Sequence, residues 1–205
     1  MKFVLASNNA KKTEEMRRIL FNIGAEVLSL REAGICSAPE ETGSTFYENA
    51  RIKAAAACAA SGLPSIADDS GLCVEALGGE PGVYSARYAG ENASDEELCA
   101  CLLARMDRAE NRRAEFVSTL VCVFPNGDEL SARGECPGEI LRAARGSGGF
   151  GYDPVFLVKG AGKTMAEMTA EEKDAVSHRG AAMRKFGKKL ADYLADKGRA
   201  DHVDK

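Results

Sequence analysis

RAEFVSTLVCVFPNG, residues 113–127, is the longest alternating run in the chain. Phe116, Leu120, Cys122 and Phe124 fall on one face of an extended segment, and Val117, Val121 and Val123 on the other. That is the period-two pattern of a strand. Asn126-Gly127 follows as a two-residue hairpin signal, so the chain returns antiparallel over residues 128–136. The opening of the chain reads differently. Residues 2–7 form a first, near-central strand, a helix follows with Met16, Ile19 and Leu20 on its apolar face, and residues 26–30 form a second strand. A β-α-β opening and a hairpin in one sheet make that sheet mixed, so the expected fold is α/β with helices flanking it.

Between these two regions lies Ile66-Ala67-Asp68-Asp69-Ser70-Gly71. Two adjacent carboxylates about 4 Å apart repel by roughly 4 kcal/mol at an effective dielectric of 20. Solvent, a cation or a proton must relieve that repulsion. The pair reads as a strand end stopped by Ser-Gly, with a separate strand over residues 72–77. Alternation sends the two carboxylates to opposite faces, so only one is expected at any given site.

Other segments frame this point. The turn Ser7-Asn8-Asn9-Ala10-Lys11-Lys12 opens the first helix. A strand, a polar turn and a helix N-terminus with lysines suit an anion, because free N–H groups and the positive end of the dipole converge there. Ser7 and Asn9 serve equally as plain caps. Thr45 to Glu48 is a capping box launching an alanine-rich helix to about Ser61, with Phe46, Asn49, Ala50, Lys53 and Ala57 on one face. Boxes at Ser94/Glu97 and Thr169/Glu172 start two more helices. The glycine-rich run of residues 145–154 carries Phe150 and Tyr152, which a plain linker rarely contains and a loop around a flat ligand does. Residues 154–158 form a short strand, and Ser177-His178-Arg179-Gly180 interrupts the helix after Lys173. The last helix runs to about Asp196. Residues 1–197 are expected to be one domain, and residues 198–205 a frayed polar tail.

A chain of 205 residues, 45% hydrophobic and 28% charged, suits an ordinary globular protein. A net charge of -4 with no dominant basic stripe argues against nucleic acid as a partner. No run has the length of a membrane span, and the N-terminus does not read as a signal peptide. Seven cysteines without a CxxC pair read as reduced residues of a cytoplasmic protein, which makes zinc an improbable ligand.

The unusual residues fall into three kinds. The acids are Glu40, Glu41, Asp68 and Asp69; the cations are Lys11, Lys12, Lys53, Lys173, His178 and Arg179; the flat loop residues are Phe150 and Tyr152, beside Asp153. Hard oxygen ligands select Mg²⁺, commonly held by one or two carboxylates plus phosphate oxygens. Lysines and a helix N-terminus suit phosphates, and a loop aromatic suits a base. Together they point to a Mg²⁺-nucleotide site.

The chain resembles the inosine triphosphate pyrophosphatase family. The matching segments are Ser7-x-Asn9-x-x-Lys12; Glu41-Thr42-Gly43 with Glu48-Asn49-Ala50 and Lys53-Ala54; and Ile66 to Leu72. Further matches are Leu77-Gly78-Gly79-x-Pro81-Gly82-x-Tyr84 to Tyr88, Gly148 to Pro154, and Glu171-Glu172-Lys173 with Ser177-His178-Arg179. They occur in family order across nearly the whole chain. One departure is Asn8, where many members carry glycine. The resemblance implies Mg²⁺-dependent hydrolysis of ITP, dITP and XTP to the monophosphate and pyrophosphate by a homodimer, with a long mixed sheet and two lobes around a central cleft. By position it makes Asp69 the general base or the group that activates water at the metal, and Glu41 with Asp69 the Mg²⁺ ligands. Ser7, Asn8, Asn9, Ala10, Lys11, Lys12, Lys53 and Ser70 would grip phosphates and sugar. Phe150, Gly151, Tyr152, Asp153, Lys173, His178 and Arg179 would read the base. The competing readings are a Maf-type pyrophosphatase for pyrimidine or modified nucleotides, and a nucleotide sensor without turnover.

Overall fold

Lys2–Leu5 (β1), Ala10–Phe21 (α1) and Glu26–Ser29 (β2) form the expected β-α-β unit. The two strands are parallel, from Lys2 opposite Glu26 to Leu5 opposite Ser29. The structure, a computed structural model, describes residues 2–21, 26–36 and 39–203. Met16 is buried on α1 as expected, while the side chains of Ile19 and Leu20 lie outside the described residues. The chain continues through α2 (Phe46–Ser61), β3 (Ser65–Val74), α3 (Asp95–Arg105), β4 (Arg113–Val123), β5 (Glu129–Ile140), β6 (Phe156–Val158), α4 (Ala170–Val176) and α5 (His178–Val203). Among the described residues six strands make one sheet in the order β2-β1-β3-β4-β5-β6, parallel on the β1 side of β3 and antiparallel on the β4 side.

Four sequence expectations shift. The aspartate pair does not end a strand, because β3 runs unbroken through Asp68, Asp69, Ser70 and Gly71 to Val74. Pairing with β4 holds it extended, Asp68 opposite Leu120 and Gly71 opposite Val117. Residues 75–77, expected as strand, form a 3₁₀ turn. β5 passes through Pro137-Gly138, where the sequence suggested a stop, and α5 continues past Asp196 to Val203. Proline is tolerated where a strand lacks an outer neighbour, and β5 meets β6 only from Gly138 onward.

The sheet faces follow the alternation. On one face, Ile66, Leu120 and Cys122 pack with Phe3, Leu5, Met183 and Phe186 under α1 and α5. Further along that face, Leu72, Val74 and Phe116 pack with Leu98 and Leu102 of α3 and with Tyr152 and Phe156. Asp68, Ser70 and Ser118 stand between the two apolar regions. This polar gap separates the two apolar clusters on that face. The opposite face, with Ala67 and Val121, is covered by Ala50, Ala54 and Ala57 of α2. Among the described residues no helix is long and apolar enough to cross a membrane.

Candidate active site

β1 pairs with β3 only at Val4–Ser65 and Leu5–Ile66. Among the described residues no strand lies beside that side of β3 from Ala67 onward until Pro81 bridges to Cys73. Asp68, Asp69 and Ser70 therefore stand on a free strand edge just beyond the carboxyl end of β1, where α1 begins. Open α/β sheets place ligands at such points. Because the edge is free, both faces of β3 reach the same space. Asp68 and Asp69 line one compartment of about 270 Å³ together with Ser7, Asn8, Asn9, Lys12, Glu41, Lys53 and Ser70. The expectation that only one aspartate would face the site is thus corrected. Alternation still aims them differently, and the missing neighbour strand lets both in.

On the α2 side, Lys53 Nζ lies 3.0 Å from Glu41 Oε1 and 3.6 Å from Asp69 Oδ1. Asp69 Oδ2 accepts the Asn49 amide at 3.2 Å. Burial raises the Asp69 carboxyl, helped by Glu41 and Asp68, against the pull of Lys53 and Lys12. Burial pushes the Lys53 ammonium down, but Asp69, Asp68 and Glu41 outweigh it, so its net shift is upward. Two hard carboxylates thus already converge on one cation. No cluster of three or more His, Cys, Asp or Glu suited to a metal occurs among the described residues. The donor set fits Mg²⁺, which takes one or two carboxylates and fills its remaining positions with phosphate oxygens and water.

On the α1/α5 side, Asp68 Oδ2 accepts Ser70 Oγ at 2.6 Å and Arg179 Nε at 3.2 Å, and faces Lys12 Nζ at 3.5 Å. Burial opposes the Asp68 charge, yet Lys12, Arg179 and Lys53 hold its carboxyl far below the usual range. Its Oδ1 is buried without a hydrogen-bond partner among the described residues. Burial lowers Lys12 despite Asp68, and an arriving anion would shift it back upward. Asn9 Oδ1 caps α1 by accepting the Lys12 N–H at 3.0 Å.

A second compartment, about 210 Å³, adjoins the first and shares Asn9, Lys12, Ser70 and Ala86 with it. Phe150, Gly151, Tyr152, Asp153, His178, Arg179 and Phe116 line it. Lys173 Nζ and the Arg179 guanidinium lie 4.7 and 5.2 Å from the Phe150 ring centre. Asp153 Oδ2 accepts the Phe150 N–H and Lys173 Nζ, each at 2.8 Å, which fixes the loop. His178 stacks on Phe116 with centroids 4.8 Å apart. Burial, reinforced by Arg179 and Lys173, drives its pKa well down and keeps it neutral, and its Nδ1 has no partner among the described residues.

The candidate residues do not all sit alike. Ala10 opens α1, and Lys11 reaches away from the first compartment to Asp95 and to the Gly149 carbonyl, 3.4 Å from each. Tyr152 belongs largely to the core, its hydroxyl donating to the Ser85 carbonyl at 2.8 Å. Sequence reasoning missed Glu15, whose two oxygens accept Lys173 and Arg179 at 2.8 Å each. Read locally, Glu15 is an ordinary helix pair for Lys12, three residues away. A larger cavity of about 1110 Å³ opens between Cys73, Glu115, Glu139 and Lys159, away from these groups. Converging charge, not volume, marks the site.

A family model described as the Ham1 family matches residues 3–189. A dITP/XTP pyrophosphatase of Corynebacterium glutamicum (strain R) is 47% identical over 204 residues, covering 95% of this chain and 99% of the relative. A dITP/XTP pyrophosphatase of Thermus thermophilus is 52% identical over 186 residues, 90% of this chain and 89% of the relative. The solved structure of the Staphylococcus aureus Ham1 protein superposes with a TM-score of 0.85 at 42% identity, covering 94% of this chain and 100% of that one.

Proposed function

The chain belongs to the Ham1 family, and from that premise we propose that it hydrolyses the non-canonical purine nucleoside triphosphates dITP, XTP and ITP to the monophosphate and pyrophosphate. The observation that carries this reading is the pair of adjoining compartments. One brings carboxylates and lysines together, the other an aromatic ring, a guanidinium and a neutral imidazole, and Asn9, Lys12 and Ser70 border both. A triphosphate and a flat base on one sugar need that juxtaposition.

In the proposed reaction Asp69 takes the proton of a water that attacks the α-phosphorus. The bond from that phosphorus to the bridging oxygen breaks, and pyrophosphate leaves. A carboxylate raised by burial is a better base than one in water. Lys12, Lys53 and the N-terminus of α1 hold the phosphates and offset their charge. Mg²⁺ held by Glu41 and Asp69 would supply further neutralisation of the phosphate oxygens. Arg179 can donate to a 6-oxo group, whereas the 6-amino group of adenine would leave it unpaired; this favours inosine and xanthine bases. Phe150 offers the base a stacking face, with Lys173 and Asp153 holding the loop behind it. The reading includes a cytoplasmic homodimer. The net charge of -4 supports the absence of a nucleic-acid partner.

The test is pyrophosphate release from dITP, XTP and ATP, with and without Mg²⁺, by the parent and Asp69→Asn. Loss of the general base lowers the dITP rate about 10²- to 10⁴-fold. Equal rates would remove Asp69 from the mechanism. Strong dTTP or UTP hydrolysis without dITP hydrolysis would favour the Maf-type activity instead.

A further inference from the structure

We propose that Asn49 is a positioning residue that ties the loop carrying Glu41 to the carboxylate of Asp69 and so sets both acids around one cation; this rests on the metal-dependent reading above. Asn49 lies on α2 and is 1% exposed. Its Oδ1 accepts the Gly43 N–H at 2.8 Å, and its Nδ2 donates to Asp69 Oδ2 at 3.2 Å. The orientation of the amide follows from its neighbours. The Gly43 N–H can only donate, so the oxygen must face it, and the NH₂ group is turned onto the carboxylate.

Each end of that amide fixes one half of the cation site. Gly43 stands two residues from Glu41 and is seated so closely that a Cβ there would lie 2.6 Å from Asn49 Oδ1 and 2.6 Å from Glu48 Cβ. The loop therefore rests directly on the first turns of α2. At the other end, Asn49 occupies Oδ2 of Asp69 and leaves Oδ1 as the oxygen that faces Lys53, at 3.6 Å. The same ammonium meets Glu41 Oε1 at 3.0 Å. One side chain thus sets the loop-to-strand spacing and selects which oxygen of Asp69 faces the cation. Packing alone gives no reason for an amide here, since Ala50, Ala54 and Ala57 bury the neighbouring positions of α2 without polar groups. Leucine has the same heavy-atom branching as asparagine, is bulkier by its two methyl groups, and can make neither bond.

The experiment titrates the full-length protein with Mn²⁺ alone, reading free Mn²⁺ by electron paramagnetic resonance, and measures dITP hydrolysis and thermal unfolding alongside. Parent, Asn49→Leu and Gly43→Ala are compared. Residues that orient metal ligands typically change metal affinity or activity 10- to 100-fold. Mn²⁺ affinity and kcat are expected to fall about 10-fold or more in both variants. The KM for dITP should stay within about two-fold, because Lys12, Phe150 and Arg179 are untouched. A cooperatively folded Asn49→Leu that binds Mn²⁺ within about two-fold of the parent overturns the proposal, as does a parent that binds no Mn²⁺. If Asn49→Leu does not fold, Gly43→Ala decides by the same criterion. A parent inactive on dITP would overturn the proposed function, while Mn²⁺ binding would still report on Asn49.

Discussion

Replacing Lys173 by methionine keeps the aliphatic stem and removes a buried ammonium that lies 2.8 Å from both Glu15 Oε1 and Asp153 Oδ2. Removing one partner of a buried pair costs about 3–5 kcal/mol. Here each acid keeps one donor, since Asp153 still accepts the Phe150 N–H and Glu15 still accepts Arg179. The loss should therefore lie at the low end, about 3 kcal/mol, or roughly 6–12 °C in Tm for a chain of this size. Its pH dependence has a definite sign. Burial raises the Asp153 carboxyl above its ordinary 3.8 even against Lys173. The stability linked to Asp153 is thus full below 3.8 and lost as pH rises through the folded value, which moves higher still without Lys173. Burial also opposes the Glu15 charge, but Arg179 and Lys173 hold its pKa below 4.5. Its contribution is present above 4.5 and lost as pH falls through the folded value, and it shrinks without Lys173. The Asp153 effect makes the deficit larger at pH 8 than at pH 5, whereas the Glu15 loss is already nearly complete at pH 5 and adds equally at both. Urea unfolding of parent and variant at the two pH values reads it directly. A deficit under about 1 kcal/mol at pH 8, or one that grows on acidification, refutes the reasoning.

Two further outcomes follow from the same geometry. Gly134→Ala would bring a Cβ to 2.1 Å from the His178 carbonyl oxygen and 2.3 Å from the Ala182 nitrogen. Neither backbone can give way, so β5 and α5 must part, at about 1–3 kcal/mol; a thermal melt within about 2 °C of the parent would contradict this. Arg179→Ala should lower the ratio of kcat/KM for ITP over ATP by about 10-fold or more, the worth of one charged hydrogen bond. Steady-state kinetics on both nucleotides checks it, and an unchanged ratio would take base reading away from Arg179.

What was legible in the sequence was chiefly local. The boxes at Thr45/Glu48, Ser94/Glu97 and Thr169/Glu172 all close with both of their bonds. The face assignments of β4 hold because alternation depends only on neighbouring residues. The strand through Asp68 to Gly71 was not legible, since aspartate, serine and glycine are poor strand formers. It exists because β4 supplies the ladder, and because Lys12, Arg179 and Lys53 neutralise the carboxylates. Those cations come from α1, α5 and α2, which only the folded chain brings together. Glu15 was hidden for the same reason, its partners lying 158 and 164 residues away. Family resemblance assigns roles to residues at distant positions, while their pairings exist only in the folded chain.

Asp68 and Asp69 are joined by a single peptide unit, with Cα atoms about 3.8 Å apart. Under the proposed reading, Asp68 is held by the arginine that meets the base, and Asp69 touches the water that meets the phosphorus. No hinge, loop or side-chain relay intervenes, only a planar amide pinned in a ladder. A base that seats Arg179 badly would then pull on the same rigid bar that carries the proton acceptor. Fidelity in such a design is expressed in turnover as much as in occupancy: the wrong nucleotide can bind and still be left uncut.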